Sequence, residues 1–532
     1  MTETRSISAC FRAALGVDAV WSDLADRQAA TANTSAFVRN TPLVLCPSTV
    51  EQVQAAVRTA RDTGSTLWPV STGRNWGLGS ASPVRNGTIV MRMHRLDRIR
   101  ELDLELGIAV VEPGVTQGRL ASELDRRHAG FTVDVTGSSS DTSLVGNTLE
   151  RGIAYRSARA DTLLGVEAVL ADGTRVRTGL LSPGSTDMLS LGPVASGPVT
   201  SGLFTQSGFG VVTAIALRLL STPPRHRAVL LGARRGTSMA ELVDLVRRAQ
   251  RLNLLNGVVH IADRERGELS LAPAVLAELR KADPGASRDD AARSVARIAS
   301  SSWSAVGSLG GHPSVVNAQI RALRRLVRQQ ATVRLMHPGR LDILEASARA
   351  MHARKLSALV RAIRPLMGLT MGQPTDATLG AVAWAGDRKE AVTLPDNDHR
   401  LEPDGSAHGL LYVVPAIPFS GAAADRAVAI AKEVAHRYLL RPAFTLNTVS
   451  PVLLEGVISV GFSARDSTEV ARAHAWLRET RELLGKAGFA LLRLDIEALA
   501  EHYHHRDPGH PLASRLKRCL DPDDVLAPGR YD

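Results

Sequence analysis

Pro69-Val70-Ser71-Thr72-Gly73-Arg74-Asn75-Trp76-Gly77-Leu78-Gly79-Ser80 is the most informative stretch of this chain. Three glycines within seven residues require backbone angles that only glycine adopts freely, or a main chain that something must approach closely. A short apolar strand, Leu67 to Val70, leads into it. Successive N–H groups in such a turn can form a concave nest for phosphate oxygens without any basic side chain. A second segment has the same small, polar character: Thr136-Gly137-Ser138-Ser139-Ser140-Asp141, continuing through Gly146-Asn147-Thr148. Taken singly, either segment is weak evidence, because a glycine-rich loop is more often just a surface turn.

The sequence around these loops is regular. Ser48 and Glu51 form a Ser-x-x-Glu capping box, and Val50, Val53, Ala56, Val57 and Ala60 follow at helical spacing, which predicts a helix ending near Thr63-Gly64. Thr88 to Met91 and Ile108 to Glu112 read as strands, and Leu120 with Leu124 marks a short amphipathic helix. Val166 to Leu170 reads as a buried strand closed by the hairpin signal Asp172-Gly173. Gly208-Phe209-Gly210 leads into a strand from Val211 to Leu219, and Pro223-Pro224 marks a boundary. Beyond it, helical stretches (Met239 to Leu252, Val315 to Gln330, Ala422 to Tyr438, Ser467 to Ala487) alternate with strands at Ala228 to Leu231, Leu410 to Val414 and Val457 to Phe462. That mixture predicts an α+β segment with mostly antiparallel strands.

At 532 residues the chain exceeds what one core supports, so two domains or a split domain are expected. The formal charge of +11 is spread along the chain, without a basic tail or finger spacing, so nucleic acid is not an expected partner. Its densest piece, Arg321 to Arg334, reads as the solvated face of an amphipathic helix. Cys10, Cys46 and Cys519 lack metal spacing and fit reduced thiols. No signal-peptide core or membrane-spanning run is present, and a soluble cytoplasmic protein without membrane partners is expected. His502, His504, His505 and His510 do not fall on one helix face with acidic or cysteine partners, so no metal site is assigned.

Together, the two loops resemble the flavin domain of the vanillyl-alcohol oxidase/p-cresol methylhydroxylase family. Pro69, Ser71, Gly73, Arg74, Asn75, Gly77 and Gly79 match that family's pyrophosphate loop position by position. Gly146-Asn147-Thr148-Leu149-Glu150-Arg151-Gly152, Gly202 to Ser207 with Gly210, and Leu520-Asp521-Pro522 with Leu526 to Tyr531 are further family-like strings in family order. The resemblance implies a two-part FAD-binding domain, residues 1–222 and 488–532, around an antiparallel-sheet substrate cap at 223–487. It implies FAD held by Ser71, Thr72, Gly73, Arg74, Asn75, Gly77, Leu78, Gly79, Thr136, Gly137, Ser138, Asp141, Gly146, Asn147, Glu150, Arg151, Gly152, Val211 and Arg530. A small-molecule substrate and a homodimer or larger assembly through the cap are also implied. The electron acceptor is not specified.

The resemblance also shows what is missing. Family members acting on para-hydroxylated aromatics hold a phenolate with two tyrosines and an arginine; the matching positions here are Leu78, Leu492 and Arg493. Leucine cannot donate to a phenolate. A simple p-alkylphenol is therefore not expected, and a specialised-metabolite intermediate fits better. Arg493 remains able to pair with a carboxylate, an enolate or the flavin. Asp141 and Tyr155 are the other catalytic candidates. Arg74-Asn75 and Glu455-Gly456 stand where relatives carry a flavin-linking histidine, and His408 and Tyr412 are substitutes to consider. Non-covalent FAD is the expectation, in an oxidase or dehydrogenase that removes a hydride from a small or medium organic molecule. The alternatives are a cyclisation or elimination without net redox change, and a binding protein without turnover.

Overall fold

Strand alternation builds the largest element of the protein. In the computed structural model, which describes residues 2–182, 188–281, 283–298, 301–386, 402–505 and 511–531, eight strands form one antiparallel sheet. Their order is Ala331–Met336, Arg225–Ala233, Trp303–Gly311, Asn256–Asp263, Ala443–Ser450, Leu453–Ser463, His408–Pro418 and Leu491–Arg493. Successive side chains of a strand point to opposite faces. One set (Val229, Leu231, Ile261, Ala305, Leu446, Ile458) packs into the main core with residues of helices Met239–Arg251, Pro313–Val327, Gly421–Arg437 and Ser467–Lys486. The other set faces a cavity shared with the flavin-side loops.

Two smaller sheets carry those loops. The strand Leu67–Val70 runs parallel to Ile89–Arg92 in a four-stranded sheet. Val211–Arg218 sits at the centre of a five-stranded antiparallel sheet between Ile108–Val111 and Leu163–Val169, and the Asp172-Gly173 turn joins the last of these to Arg175–Arg177. Behind this sheet Glu167 is fully buried against Arg100, Arg175 and Arg177, which hold its carboxyl down at about 2 despite burial. The chain end returns to the first sheet: Leu67 N donates to Val525 O at 2.8 Å and Ala527 N to Leu67 O at 2.7 Å. The expected α+β architecture with an antiparallel cap sheet is therefore the one observed.

Some details differ from expectation. The helix Val50–Asp62 is capped by Thr49, whose side chain accepts from Gln52 N, and Gln52 rather than Glu51 reaches back to Ser48 N. The Arg321 to Arg334 segment is not one helix: it ends at Val327, and Arg334 lies on the edge strand. Leu491–Arg493, expected with the returning flavin segment, hydrogen-bonds to the cap sheet through His408–Pro418. No helix among the described residues is long and apolar enough to cross a membrane. His510 and the side chains of His502, His504 and His505 lie outside the described residues.

Candidate functional site

The two glycine-rich loops and the cap sheet enclose one cavity of about 790 Å³. In the first loop, Gly73 (φ 76), Gly77 (φ 76) and Gly79 (φ 111) all adopt left-handed backbone. Bulk is also excluded at two of them: a Cβ on Gly77 would lie 2.5 Å from the Tyr412 ring, and one on Gly79 would lie 2.6 Å from Ile496. The amides of Gly77, Leu78 and Ser80 are hydrogen-bonded to the protein, to Thr34 Oγ1, Asn75 O and Asn75 O. The backbone N–H groups of residues 72–76 donate to no other group among the described residues. Consecutive unpartnered amides in a glycine turn form an anion cradle.

The second loop closes against the first. Ser143 N donates to Thr72 Oγ1 at 3.2 Å, and a Cβ on Gly146 would come within 2.2 Å of Ser71 Oγ. Ser143 caps the short helix Leu144–Leu149. Cap residues clasp both loops. Asp376 accepts from Ser139 Oγ and Ser140 N, and Thr378 Oγ1 donates to Ser138 O. Glu402 pairs with Arg74, while Asp404 accepts from Trp76 Nε1, Ser80 Oγ and Thr34 N. At the outer end Arg530 pairs with Glu150 and stands over Trp68. Buried Asn147 Oδ1 and Arg493 Nε lack hydrogen-bond partners among the described residues, although buried polar groups normally have them. The amide cradle and these open polar atoms, within a cavity of this size, fit a dinucleotide flavin. Ser71, Thr72, Gly73, Asn75, Ser138 and Asn147 line the part that would hold it.

Burial pushes the Asp404 carboxyl up to about 6. A carboxyl raised in the folded state stabilises most at low pH, and that contribution fades as pH rises from the unfolded value of about 4 through about 6. Asp404→Asn turns one acceptor into a donor that opposes Trp76, Ser80 or Thr34. It should cost about 1–3 kcal/mol, loosen FAD and flatten the pH dependence of Tm between about pH 4 and 6. Thermal melts across that range, with released FAD quantified, check this.

Most of the sequence-derived residues line the cavity: Ser71 to Asn75, Leu78, Thr136, Gly137, Ser138, Gly146, Asn147, Glu150, Gly152, Tyr155, Arg493 and Arg530. Five do not. Gly77 and Gly79 face Tyr412 and Ile496. Asp141 lies outside the lining, 3.9 Å from Arg74, so its place is beside the loop rather than at the reacting end. Arg151 is exposed in a left-handed turn and reaches Thr205, while its neighbours Glu150 and Gly152 face inward. Val211 alternates away from Gly210 and Val212 into the core of the four-stranded sheet. Tyr412 lines the cavity beside the glycine loop, and His408 lies at the strand's outer end.

The cap sheet adds a group that sequence reading had not assembled. Arg493 donates through Nη2 to Asn75 Oδ1 at 2.5 Å. Two strands away, Glu455 accepts from Asn447 Nδ2 at 2.8 Å, and Asn447 Oδ1 lies 2.7 Å from His260 Nδ1. With Asn447 Oδ1 as the acceptor, His260 carries its proton on Nδ1, leaving Nε2 as a buried lone pair without a partner among the described residues. Burial pulls His260 down to about 4 and raises the Glu455 carboxyl against the pull of Arg493. Tyr155, raised to about 12 by burial, lies with its ring 4.4 Å from that of His260. Polar residues alternating with core residues on strands Asn256–Asp263 and Ala443–Ser450 are the signal that could have found this group.

Residues 41–179 match the family described as FAD binding domain. The chain is 29% identical to the 1'-carboxy-chondrochloren decarboxylase of Chondromyces crocatus, over 98% of this chain and 96% of that protein. It is 25% identical to the 4-cresol dehydrogenase (hydroxylating) flavoprotein subunit of Pseudomonas putida, over 91% and 86% of the two chains. Two solved structures share its fold, each with a TM-score of 0.82: substrate-bound p-cresol methylhydroxylase (24% identity, 100% and 97% covered) and the 4-ethylphenol oxidase of Gulosibacter chungangensis (21% identity, 99% and 97% covered). The chain therefore carries an FAD-binding domain at residues 41–179 and is similar over nearly its whole length to p-cresol methylhydroxylase-type FAD flavoproteins, whose fold it shares.

Proposed function

We propose that this protein is an FAD-dependent oxidoreductase that takes a hydride from carbon in an organic acid whose carboxylate is held by Arg493. One observation carries the reading. The cavity keeps a guanidinium with an unpartnered, buried Nε, while the adjoining Leu78 offers no donor and Leu492 lies outside the lining. Guanidinium matches carboxylate geometry in a way it does not match a lone phenolate. Asn75 anchors one Nη and leaves the Nε edge for the substrate. Glu455, pushed toward its neutral form, competes little for that charge.

Bound FAD supplies an acceptor for the hydride. The protein's own task is to fix the acid and to receive a proton. Where the oxidised carbon bears an O–H or N–H, His260 Nε2 takes that proton as the carbon–heteroatom double bond forms. A second reading is favoured by the full-length Chondromyces crocatus relative, a decarboxylase by name. In it, oxidation at the carbon next to the carboxyl-bearing carbon breaks the carbon–carboxylate bond; its electron pair forms a carbon–carbon double bond and CO2 leaves. We also read the FAD as non-covalent, because no histidine stands at Arg74 or Glu455.

Anaerobic mixing of the holoenzyme with aryl- and alkyl-substituted acids, their methyl esters and the matching alcohols tests the reading. Acids should bleach the visible flavin absorbance and esters should not. Trapped CO2 equal to the flavin reduced would select the decarboxylating outcome. Acid precipitation of the same preparation should leave a yellow supernatant. Esters that reduce the flavin as fast as acids would overturn the role given to Arg493.

A further inference from the structure

The cavity does not end at His260. Beyond it the floor continues over three further strands, through Val306, Leu230 and Met336. Above that floor lie Leu341, Val360 and Ile363, from helices Pro338–Ala350 and Arg354–Leu369, which also pack with Met336 and Ala228 in an apolar cluster. Three interstrand spacings of about 4.8 Å give this gallery a span of roughly 14 Å. It reaches solvent between Leu344 and Leu356, residues 39% and 38% exposed, beside the exposed Arg334 and Arg340. The same sheet is tightly packed on its other face. Protein interiors close such spaces, because unfilled apolar volume costs about 24 cal/mol per Å³. Apolar walls left open next to a polar reaction centre are those of a binding site for an apolar group.

From this we infer that the substrate is an amphiphile: a polar head lying along the sheet from Arg493 to His260, which stand four strands apart, and an extended apolar tail lying in the gallery and pointing to solvent at Leu344 and Leu356. The inference rests on reading the Arg493 end as the reaction site, and it names the substrate class that the site takes.

Straight-chain acids from butanoic to docosanoic, with the alcohols of the same lengths, are the probes. Binding to the holoenzyme is read from the perturbed flavin spectrum. Each methylene buried in the gallery should tighten binding about fourfold, until the chain reaches solvent, where the gain should stop. Ala228→Phe and Val306→Phe, on two different strands, should each move that break to shorter chains; melting temperature and bound-flavin content identify any variant that has misfolded. Leu359→Ala should strengthen the longest chains relative to the shortest. Acids whose affinity is independent of length would overturn the tail proposal while leaving Arg493 intact. Alcohols matching acids at every length, with the same break, would overturn the acid reading while leaving the gallery standing.

Discussion

Arg493→Met should leave the protein folded and yellow, yet lower kcat/KM for acid-driven flavin reduction by two to three orders of magnitude. The guanidinium sits on the short strand Leu491–Arg493 at the edge of the cap sheet and is tethered to the glycine loop through Asn75. Removing one partner of a desolvated, hydrogen-bonded charge pair costs about 2–5 kcal/mol, and 1.4 kcal/mol is tenfold. Arg493→Lys keeps the charge and loses the fork, so it should fall between wild type and methionine. The split between parameters is informative. If Arg493 holds the acid equally before and during reaction, KM should rise with kcat unchanged. A fall in kcat as well would mean that the carboxylate is positioned for departure, as the decarboxylating outcome requires. Methyl esters, which should not bleach the wild-type flavin, should stay without effect on either variant. A methionine variant that treats acids as wild type does would remove Arg493 from the site.

The flavin side of this architecture was legible because its signals are local. A glycine loop with the strand before it and a small-residue loop are contiguous strings, and their chemistry follows from residue type. The cap was harder. His260, Asn447 and Glu455 are separated by up to 195 positions and meet only because antiparallel pairing sets His260 opposite Asn447 and Asn447 opposite Glu455. The strands Asn256–Asp263 and Ala443–Ser450 were not recognised from sequence, so the polar residues alternating with Val259, Ile261, Phe444 and Leu446 had no face to belong to. Asp141 illustrates the opposite case. Membership in the right loop did not put its side chain in the cavity lining; it lies 3.9 Å from Arg74 instead. Glu402, Asp404 and Asp376, which clamp the loops from the cap, carried no sequence signal. Isolated acids in polar stretches look alike until the fold brings a donor to each.

The strongest consequence of that unrecognised group concerns pH. For a substrate that must lose an O–H or N–H proton, His260→Gln should slow flavin reduction by about 10²–10⁴-fold, the usual contribution of a positioned base. Melting temperature at neutral pH should change little, because glutamine can still meet Asn447. The sign of the wild-type profile follows from the lowered value: with His260 near 4, its lone pair is free throughout the neutral range, so the rate should stay level and decline only as the pH approaches 4. In His260→Gln that limb should vanish, and the rate should instead climb with pH as the substrate ionises by itself. Asn447→Asp separates a base from a merely structural histidine. A carboxylate facing Nδ1–H favours the imidazolium, so the acid limb should move upward toward neutral pH even though His260 itself is untouched. Glu455, already driven toward its neutral form by burial, can keep the proton that the new pair of acids must share. A histidine that only fills space would leave the limb where it was in Asn447→Asp, and the proton path would then have to be sought at Tyr155.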